Sequence, residues 1–282
     1  LAGKTFMVTG CNSGLGLETL RVLVLRGARV IATARSLDKA ESACASVGGE
    51  TVPLACELSE PASVRACVAA VQQLGLQLAA IICNAGIMAL PKLETKHGFE
   101  LQFFTNHIGH FILVTGLLDQ LAPDGRVVML SSDVHKIAPK AGIELDNLDG
   151  ARGYGGWRNY GQSKLANILF AKQLTRRFAG TQRTANAVHP GVIATNLSRH
   201  MNPVGAALQR AFGPLFLKSV PQGAATEVFV ATHPSLAGVS GEYFADCNVA
   251  KPRADANDAA LAEQLWDASE RIVAGLPSDL AT

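Results

Sequence analysis

A glycine-rich turn near the start of the sequence constrains this chain more than any other feature. The apolar run Thr5–Thr9 leads directly into a turn with three glycines, and apolar residues then recur at helical spacing over 15–25. A second apolar run occupies 28–34, immediately after Gly27. Because a strand, a helix and a second strand in this order form a crossover, this region predicts two parallel strands joined by a helix.

The same alternation continues along the chain. We predict further strands at 51–54, 78–83, 126–130, 184–188 and 241–244, and helices at 61–74, 99–121 and about 160–178, with Ser59 as the N-cap of the helix that begins at Pro61. Most strands are apolar throughout, which is typical of a parallel sheet covered on both faces. With 48% apolar residues available for a core, residues 1–282 are predicted to form one α/β domain, a doubly wound Rossmann-type fold with a seven-stranded parallel sheet and helices on both faces.

The balance of charges and the cysteine pattern exclude several classes of partner. The 25 basic and 23 acidic side chains leave a net charge of +2, too small a field to indicate binding of nucleic acid or an anionic membrane. The six cysteines form no C-x-x-C pair and show no zinc-ligand spacing, so no metal site is predicted. No stretch approaches the roughly 18 apolar residues of a membrane span, and no export signal is visible. We therefore predict a cytoplasmic protein with a small-molecule partner, and the sequence leaves association into a homo-oligomer open.

The glycine turn has the features of a dinucleotide site. Glycines at this position let the backbone approach a pyrophosphate, and the N-terminus of the following helix attracts its negative charge. The spacing is G-x-x-x-G-x-G, and the turn supplies these candidate cofactor contacts: Gly10, Asn12, Ser13, Gly14, Leu15 and Gly16. A glycine triplet alone is a weak signal, but its place after the first strand strengthens it.

Arg35 follows the second strand and bears on the choice of nicotinamide cofactor. In dinucleotide folds an acid about 20 residues past the glycines binds the ribose 2′-OH of NAD, whereas an arginine there accommodates the 2′-phosphate of NADP. Here the nearest acid, Asp38, lies in the next predicted helix, while Ser13 or Ser36 could assist the guanidinium. This favours NADP(H); the alternative is a solvated arginine at a helix start.

Tyr160 and Lys164 lie one helical turn apart on the same face. A nearby cation stabilises a phenolate, so Lys164 is expected to lower the pKa of Tyr160 from about 10 toward neutrality. Tyr160 could then pass a proton to a carbonyl oxygen. By itself such a pair is more often a feature of a helix surface, and the other motifs decide between the two interpretations.

In its motifs the chain resembles the short-chain dehydrogenase/reductase family, from Gly3 to about residue 275. The motifs occur in the family's order: Thr9-Gly10-x-x-x-Gly14-x-Gly16, Asn84-Ala85-Gly86, Asn106, Ser131-Ser132, Tyr160-x-x-x-Lys164 and Pro190-Gly191. The resemblance implies a nicotinamide-dependent oxidoreductase without a metal.

The same resemblance assigns four catalytic residues. It implies that Tyr160 is the general acid/base and that Lys164 holds the nicotinamide ribose and lowers the phenol pKa. Ser132 would hydrogen-bond the substrate carbonyl, with Ser131 as the competing serine, and Asn106 would anchor a water in the proton relay.

Further cofactor contacts are implied residue by residue. Besides Tyr160 and Lys164, they are Glu57, Leu58, Asn84, Ala85, Gly86, Pro190, Gly191, Val192 and Thr195. Glu57 departs from the aspartate that the family usually has near the adenine. For Asn84–Gly86 the alternative is a turn that only ends a strand.

A narrower resemblance is to the retinol dehydrogenase and WW-domain oxidoreductase branch. It is carried by the segments at 12–16, 106–111, 163–167, 189–191 and 241–247. It implies a hydrophobic ketone, aldehyde or alcohol as substrate.

Several residues near these motifs have two interpretations. The apolar segment 196–220 is a candidate substrate lid or a helix docked on the core, and Trp157 a candidate aromatic wall. His107 and His110 lack a third ligand and are expected in helix packing, while His135 could face substrate.

The sequence therefore predicts hydride transfer between NADP(H) and a hydrophobic carbonyl or alcohol. The alternatives are a catalytically silent NADPH-binding sensor or scaffold, and a sugar-nucleotide epimerase or dehydratase. The turn at 9–16 argues against the epimerase, which generally has T-G-x-x-G-x-x-G.

Overall fold

The first part of the chain alternates strands and helices. In the computed structural model, which describes residues 1–193 and 217–277, its elements are β1 (Thr5–Thr9), α1 (Gly14–Leu25), β2 (Arg29–Ala34), α2 (Leu37–Val47), β3 (Thr51–Ala55), α3 (Pro61–Gln73) and β4 (Leu78–Cys83). The predicted strands are confirmed here. The predicted N-cap of α3 is wrong, because Glu60 occupies that position while the backbone N–H and hydroxyl of Ser59 donate to the Glu57 carboxylate.

The second part is less regular. Its elements are β5 (Thr95–Lys96), β6 (Phe99–Glu100), α4 (Leu101–Phe103), a π-helical turn (Phe104–Ile108), α5 (Gly109–Gly116), β7 (Leu121–Leu130), a 3₁₀ helix (Asp133–Ile137), α6 (Gly156–Arg177), β8 (Thr184–His189), α7 (Val220–Thr232), β9 (Tyr243–Ala245), β10 (Asn248–Val249) and α8 (Ala259–Gly275). The segment between β7 and α6 contains the 3₁₀ helix, and α6 begins four residues before Tyr160.

The continuous helix predicted at 99–121 is wrong. Phe99 and Glu100 pair with the strand Thr95–Lys96 instead, and the Glu100 carboxylate accepts from the N–H of Phe103 at 2.8 Å, which caps α4. The helix ends at Gly116, and Leu121 already lies in the sheet beside Leu78. The region predicted as one helix therefore contains four backbone conformations: strand, α-helix, π-helix and a 3₁₀ turn at Leu118–Gln120.

Eight strands form the main sheet, in the order β3-β2-β1-β4-β7-β8-β9-β10. All neighbours are parallel except β9 and β10, and the short β10 is the strand added to the seven predicted. The chain proceeds outward from β1 to β3 and then returns to the other side of β1 with β4. Ligands of open α/β sheets bind at the carboxyl edge where the strand order reverses, here between β1 and β4.

Helices cover both faces of the sheet. On one face α1 and α7 share an apolar cluster that includes Leu20, Leu23 and Val230. On the other face α5, α6 and α8 bury an aromatic group, in which Trp266 lies 4.9 Å from Phe111 between ring centroids. Within the described residues, no helix is both long and apolar enough to cross a membrane.

Trp266 provides a stability test of this packing. It is 4% exposed, contacts Phe111 and Phe170, and has the Arg177 guanidinium 3.8 Å from its ring. Trp266→Ala is expected to lower the free energy of unfolding by about 3–5 kcal/mol in urea denaturation. Trp157, which is 50% exposed, is the matched control, and Trp157→Ala should cost less than about 1 kcal/mol. Equal losses would contradict the packing described.

Candidate active site

The glycine turn after β1 depends on backbone conformations and close approaches that favour glycine. Gly10 and Gly14 have φ of +74° and +57°, in the left-handed region where a side chain is strained. Gly16 has no room for one, because an added Cβ would lie 2.2 Å from the Gly10 carbonyl oxygen and 2.5 Å from Asn84 Nδ2. The start of α1 is therefore packed tightly against the backbone of the turn and the side chain of Asn84 after β4.

The N-terminus of α1 is open to solvent. Asn12, Ser13 and Gly14 are exposed, and the extended Ser13 makes no side-chain capping hydrogen bond. An added Cβ on Gly14 would meet no atom within 4 Å, so open space lies in front of the turn. Leu15 is half-buried. Uncapped N–H groups beside an open cradle fit a pyrophosphate.

Arg35 lies directly after β2, at the same edge of the sheet. It is exposed, and Ser36 beside it is the N-cap of α2 without a side-chain capping bond. Asp38 lies in the first turn of α2. The end of β2 thus offers a guanidinium and a hydroxyl, the donor set that fits a ribose phosphate.

Glu57 and Leu58 follow β3. Leu58 is buried, and its carbonyl oxygen would lie 2.3 Å from a Cβ on Gly109, so it packs against the start of α5. The Glu57 carboxylate accepts from the N–H and the hydroxyl of Ser59. That carboxylate therefore organises its own loop.

The turn after β4 is tied to β1 by two hydrogen bonds. Asn84 Nδ2 donates to the Thr9 carbonyl at 2.7 Å, and the N–H of Ala85 donates to the Thr9 hydroxyl at 3.0 Å. An added Cβ on Gly86 would lie 2.9 Å from Asn106 Oδ1 and 3.5 Å from Lys164 Nζ. The turn at 84–86 thus ends a strand and also lies against two of the predicted catalytic residues.

The two serines after β7 have different surroundings. Ser131 is buried, and its hydroxyl donates to the Lys164 carbonyl at 2.8 Å. The Ser132 hydroxyl accepts from the N–H of Val134 at 3.2 Å and interacts with the Tyr160 phenol. Because the Ser132 oxygen accepts from Val134, its proton is available to the Tyr160 phenol or to a substrate oxygen. The geometry favours Ser132 over Ser131 as the residue that meets a substrate.

Burial dominates the titration of the Tyr160 phenol. It raises the pKa above the usual value, and the interaction with Ser132 opposes the shift. Lys164 Nζ lies 5.6 Å from the centroid of the phenol ring. Burial therefore raises the phenol pKa where the sequence predicts a lowering, and the interaction with Ser132 is what opposes the rise.

Lys164 is buried at the carboxyl edge of the sheet, which is called the cofactor edge below. Its Nζ donates to the Leu130 carbonyl at 2.9 Å, and its other two N–H groups have no acceptor among the described residues. Burial lowers its pKa to about 8, with Glu227 opposing, so it is mostly protonated at pH 7. Two unsatisfied donors beside Gly86 fit the hydroxyls of a ribose.

The side chain of Asn106 acts as a clamp in this structure. Its Oδ1 accepts from the N–H of Ile87 at 2.8 Å, while its Nδ2 donates to the Ile87 carbonyl and to the Ser163 hydroxyl, each at 2.9 Å. Asn106 is fully buried within the π-helical turn. Protein groups therefore use three of the four hydrogen-bonding positions of this side chain, and the water-anchoring role implied by the resemblance stays a prediction.

The turn after β8 is closed by an ion pair. Pro190 is buried, and Gly191 has φ of +90°, with Cδ of Lys218 only 2.5 Å from where its Cβ would be. Lys218 donates its N–H to the Val192 carbonyl at 2.8 Å and pairs with Asp246. Because Lys218 and Asp246 are 28 residues apart in sequence, local sequence patterns do not predict this pair.

Other predicted contacts lie outside the described residues or at the rim. Val192 is 51% exposed. Thr195 and most of the lid predicted at 196–220 lie outside the described residues; within that segment, Val220 begins α7. Trp157 is half-exposed, with its ring 6.3 Å from that of Tyr160 in an edge-on arrangement.

His135 does not face a substrate. It is fully buried, its Nδ1 donates to the Ser132 carbonyl at 2.6 Å, and its Nε2 accepts from the N–H of Arg253 at 3.0 Å. Burial lowers its pKa. The substrate-facing interpretation is corrected: His135 holds the loop behind Ser132.

Glu227 on α7 is a buried group without a sequence signal. It is fully buried, accepts a hydrogen bond from the Thr19 hydroxyl at 3.1 Å, and burial raises its pKa to about 7. It therefore links α7 to α1 behind the glycine turn. Across residues 1–193 and 217–277, no three His, Cys, Asp or Glu side chains are grouped to hold a metal ion.

His107 gives a test of pH-dependent stability. Burial lowers its pKa to about 3, whereas an unfolded histidine titrates near 6.5. Below about pH 6.5 the unfolded chain binds a proton that the folded protein does not. The free energy of unfolding therefore decreases as the pH is lowered. His107→Phe removes this difference. Urea unfolding at pH 7, 5.5 and 4.5 should show the parent losing about 1.4 kcal/mol per pH unit relative to the variant below pH 6. Parallel curves would contradict the buried, neutral state.

Several known proteins are similar to this chain. A family model described as short chain dehydrogenase matches residues 4–204. Short-chain dehydrogenase TIC 32 B, chloroplastic, of Brassica napus is 42% identical, covering 97% of this chain and 89% of its own. Retinol dehydrogenase 14 of Homo sapiens is 38% identical, with 96% and 86% covered. A crystal structure of an uncharacterized protein from Mycobacterium paratuberculosis superposes with a TM-score of 0.77 at 34% identity, over 97% of this chain and 94% of that one.

Proposed function

The chain belongs to the short-chain dehydrogenase/reductase family of oxidoreductases, and on this premise we propose that it transfers hydride between NADP(H) and a small hydrophobic carbonyl compound or alcohol. The observation that carries the proposal is the meeting of Ser132, Tyr160 and Lys164 at the carboxyl edge of the sheet, beside the glycine turn. The nicotinamide supplies the hydride when it is bound.

The protein groups supply positioning and the proton. Ser132 donates a hydrogen bond to the carbonyl oxygen, and Tyr160 transfers its phenolic proton to that oxygen as negative charge develops. Because burial keeps the phenol protonated at neutral pH, Tyr160 is prepared to act as an acid. Lys164 binds the ribose through its two free N–H groups and, as a cation, stabilises the phenolate left behind.

A hydrophobic substrate is supported by the apolar side chains around this edge. Trp157 is half-exposed beside Tyr160, and Ile137, at 55% exposure, ends the 3₁₀ helix that follows Ser132. Gly161 packs against the carbonyl of Val134, so this 3₁₀ helix and α6 are neighbours. The retinol dehydrogenase relative is consistent with such a substrate.

The preference for NADP(H) is tested at Arg35. Arg35→Ala is expected to raise KM for NADPH roughly 10- to 100-fold, since hydrogen bonds to charged groups contribute about 1.5–3 kcal/mol, while KM for NADH changes little. The measurement is the loss of nicotinamide absorbance with a panel of aldehydes and ketones. The control is Arg29→Ala, at the opposite end of β2 and paired with Glu50. Equal turnover of NADPH and NADH by the parent would contradict the preference.

A further inference from the structure

A chain of hydrogen bonds runs through the interior behind the cofactor edge. The N–H of Ala85 reaches the Thr9 hydroxyl at 3.0 Å, and that hydroxyl lies 3.0 Å from His110 Nε2. On the other side of the ring, His110 Nδ1 lies 3.0 Å from the carbonyl oxygen of Asn106. His110 is fully buried.

The donor and the acceptor of each of these hydrogen bonds can be assigned. The Asn106 carbonyl can only accept, so Nδ1 carries the ring proton, and in a neutral imidazole Nε2 must then accept. Thr9 therefore donates its hydroxyl proton to His110 and turns a lone pair toward the N–H of Ala85. Burial, with Lys164 acting in the same sense, lowers the pKa of His110 to about 4, so the ring is neutral near pH 7.

Both ends of the chain reach residues of the site. At one end, Thr9 and Ala85 join β1 to the turn that lies against Lys164. At the other end, Asn106 Nδ2 donates to the Ser163 hydroxyl, which donates to the Tyr160 carbonyl at 2.8 Å. The His110 ring is the link that joins the cofactor turns to the helix bearing Tyr160.

His107, in the π-helical turn that precedes α5, has a packing role only. Its ring lies among Phe103, Phe111 and Phe170, and Nε2 bonds the Ser269 hydroxyl at 2.8 Å. These contacts hold α8 and leave the cofactor edge untouched. His107 is therefore the matched control for His110.

We propose that His110 is a positioning residue for the hydride transfer, fixing the turn after β4 through Thr9 and the backbone of Asn106 through its second ring nitrogen. The proposal has two halves. The catalytic half, the effect of His110 on kcat, rests on the proposed function, whereas the cofactor half, its effect on NADPH binding, does not.

Two substitutions separate the halves. His110→Asn places an amide donor where Nδ1 lies but does not reach Thr9, so the dissociation constant for NADPH should rise about 10-fold with kcat within three-fold of the parent. His110→Gln places an amide oxygen near the position of Nε2 but loses the donor to Asn106. It should lower kcat about 10-fold, with NADPH affinity within three-fold. These factors correspond to the loss of one ordinary hydrogen bond.

Binding is measured by the fluorescence of NADPH, kcat with a reducible ketone, and Tm by thermal unfolding. His110→Phe should show both losses, and His107→Phe neither. The double variant Thr9→Val/His110→Phe should weaken NADPH binding by less than the sum of the two single effects. Each substitution removes the same bond, from the Thr9 hydroxyl to His110 Nε2. Thr9→Ser keeps the hydroxyl and should restore the affinity lost in Thr9→Val.

The proposal is overturned if His110→Asn and His110→Gln change the two parameters alike, if each loss only follows the fall in Tm, or if the double variant is additive. Parent protein that binds NADPH but reduces no carbonyl would overturn the proposed function and the catalytic half together. In that case the binding measurements still decide the cofactor half.

Discussion

Tyr160→Phe is expected to lower kcat for carbonyl reduction about 10³-fold, within the roughly 10²- to 10⁴-fold range of general acid catalysis. The substitution removes the phenolic proton and keeps the ring, so the contact with Trp157 and the buried position persist. The affinity for NADPH should change little, because the phenol serves the substrate oxygen. The measurement is steady-state kinetics together with NADPH binding on the same preparation.

Ser132→Ala is the companion variant. It removes the hydroxyl that interacts with the phenol, and should lower kcat by a smaller factor, since Tyr160 can still supply the proton. Ser131→Ala tests the competing serine, whose hydroxyl is engaged by the Lys164 carbonyl. A larger catalytic loss from Ser131→Ala than from Ser132→Ala, with both variants folded, would reverse the assignment.

Gly16→Ala has the largest expected effect on cofactor binding. The new Cβ would lie 2.2 Å from the Gly10 carbonyl oxygen and 2.8 Å from its carbonyl carbon, so the backbone of the turn must move. We expect NADPH affinity to fall at least about 100-fold, since the turn N–H groups leave their positions, and stability to fall by about 1–3 kcal/mol from overpacking.

Two other glycines make this result interpretable. Gly14→Ala adds a Cβ to open space but strains a positive φ, so binding should suffer more than packing does. Gly275 ends α8 with no atom within 4 Å of an added Cβ, and Gly275→Ala should leave both quantities near those of the parent. Normal NADPH affinity in Gly16→Ala would contradict the assignment of the turn.

Local pattern was sufficient for the parallel strands and the glycine turn. The strands β1 and β4 are buried almost throughout, which agrees with the covered sheet predicted from their apolar runs. The turn is equally local, because the close approach at Gly16 can be met only by glycine. The family resemblance carried by the order of motifs predicted a site at the carboxyl edge, and the roles of its side chains stay predictions.

Tertiary contacts explain what the pattern missed. Within the helix predicted at 99–121, the π-helical turn at 104–108 includes the buried Asn106, whose hydrogen bonds to Ile87 join residues 19 apart in sequence. The pKa of Tyr160 depends on burial, which the spacing to Lys164 does not report. Glu227 was missed for the same reason, because its hydrogen-bond partner Thr19 is 208 residues away in the sequence.

Transfer of deuterium from C4 of the nicotinamide to a carbonyl carbon tests the proposed function most directly. The parent protein is incubated with NADPH deuterated at both positions of C4 and a panel of aldehydes and hydrophobic ketones, and the alcohols are analysed by mass spectrometry. We expect one deuterium on the carbinol carbon, and its near-complete loss with Tyr160→Phe. Binding of NADPH without any deuterated alcohol, and without a difference between parent and Tyr160→Phe, would contradict hydride transfer and favour a cofactor-binding sensor.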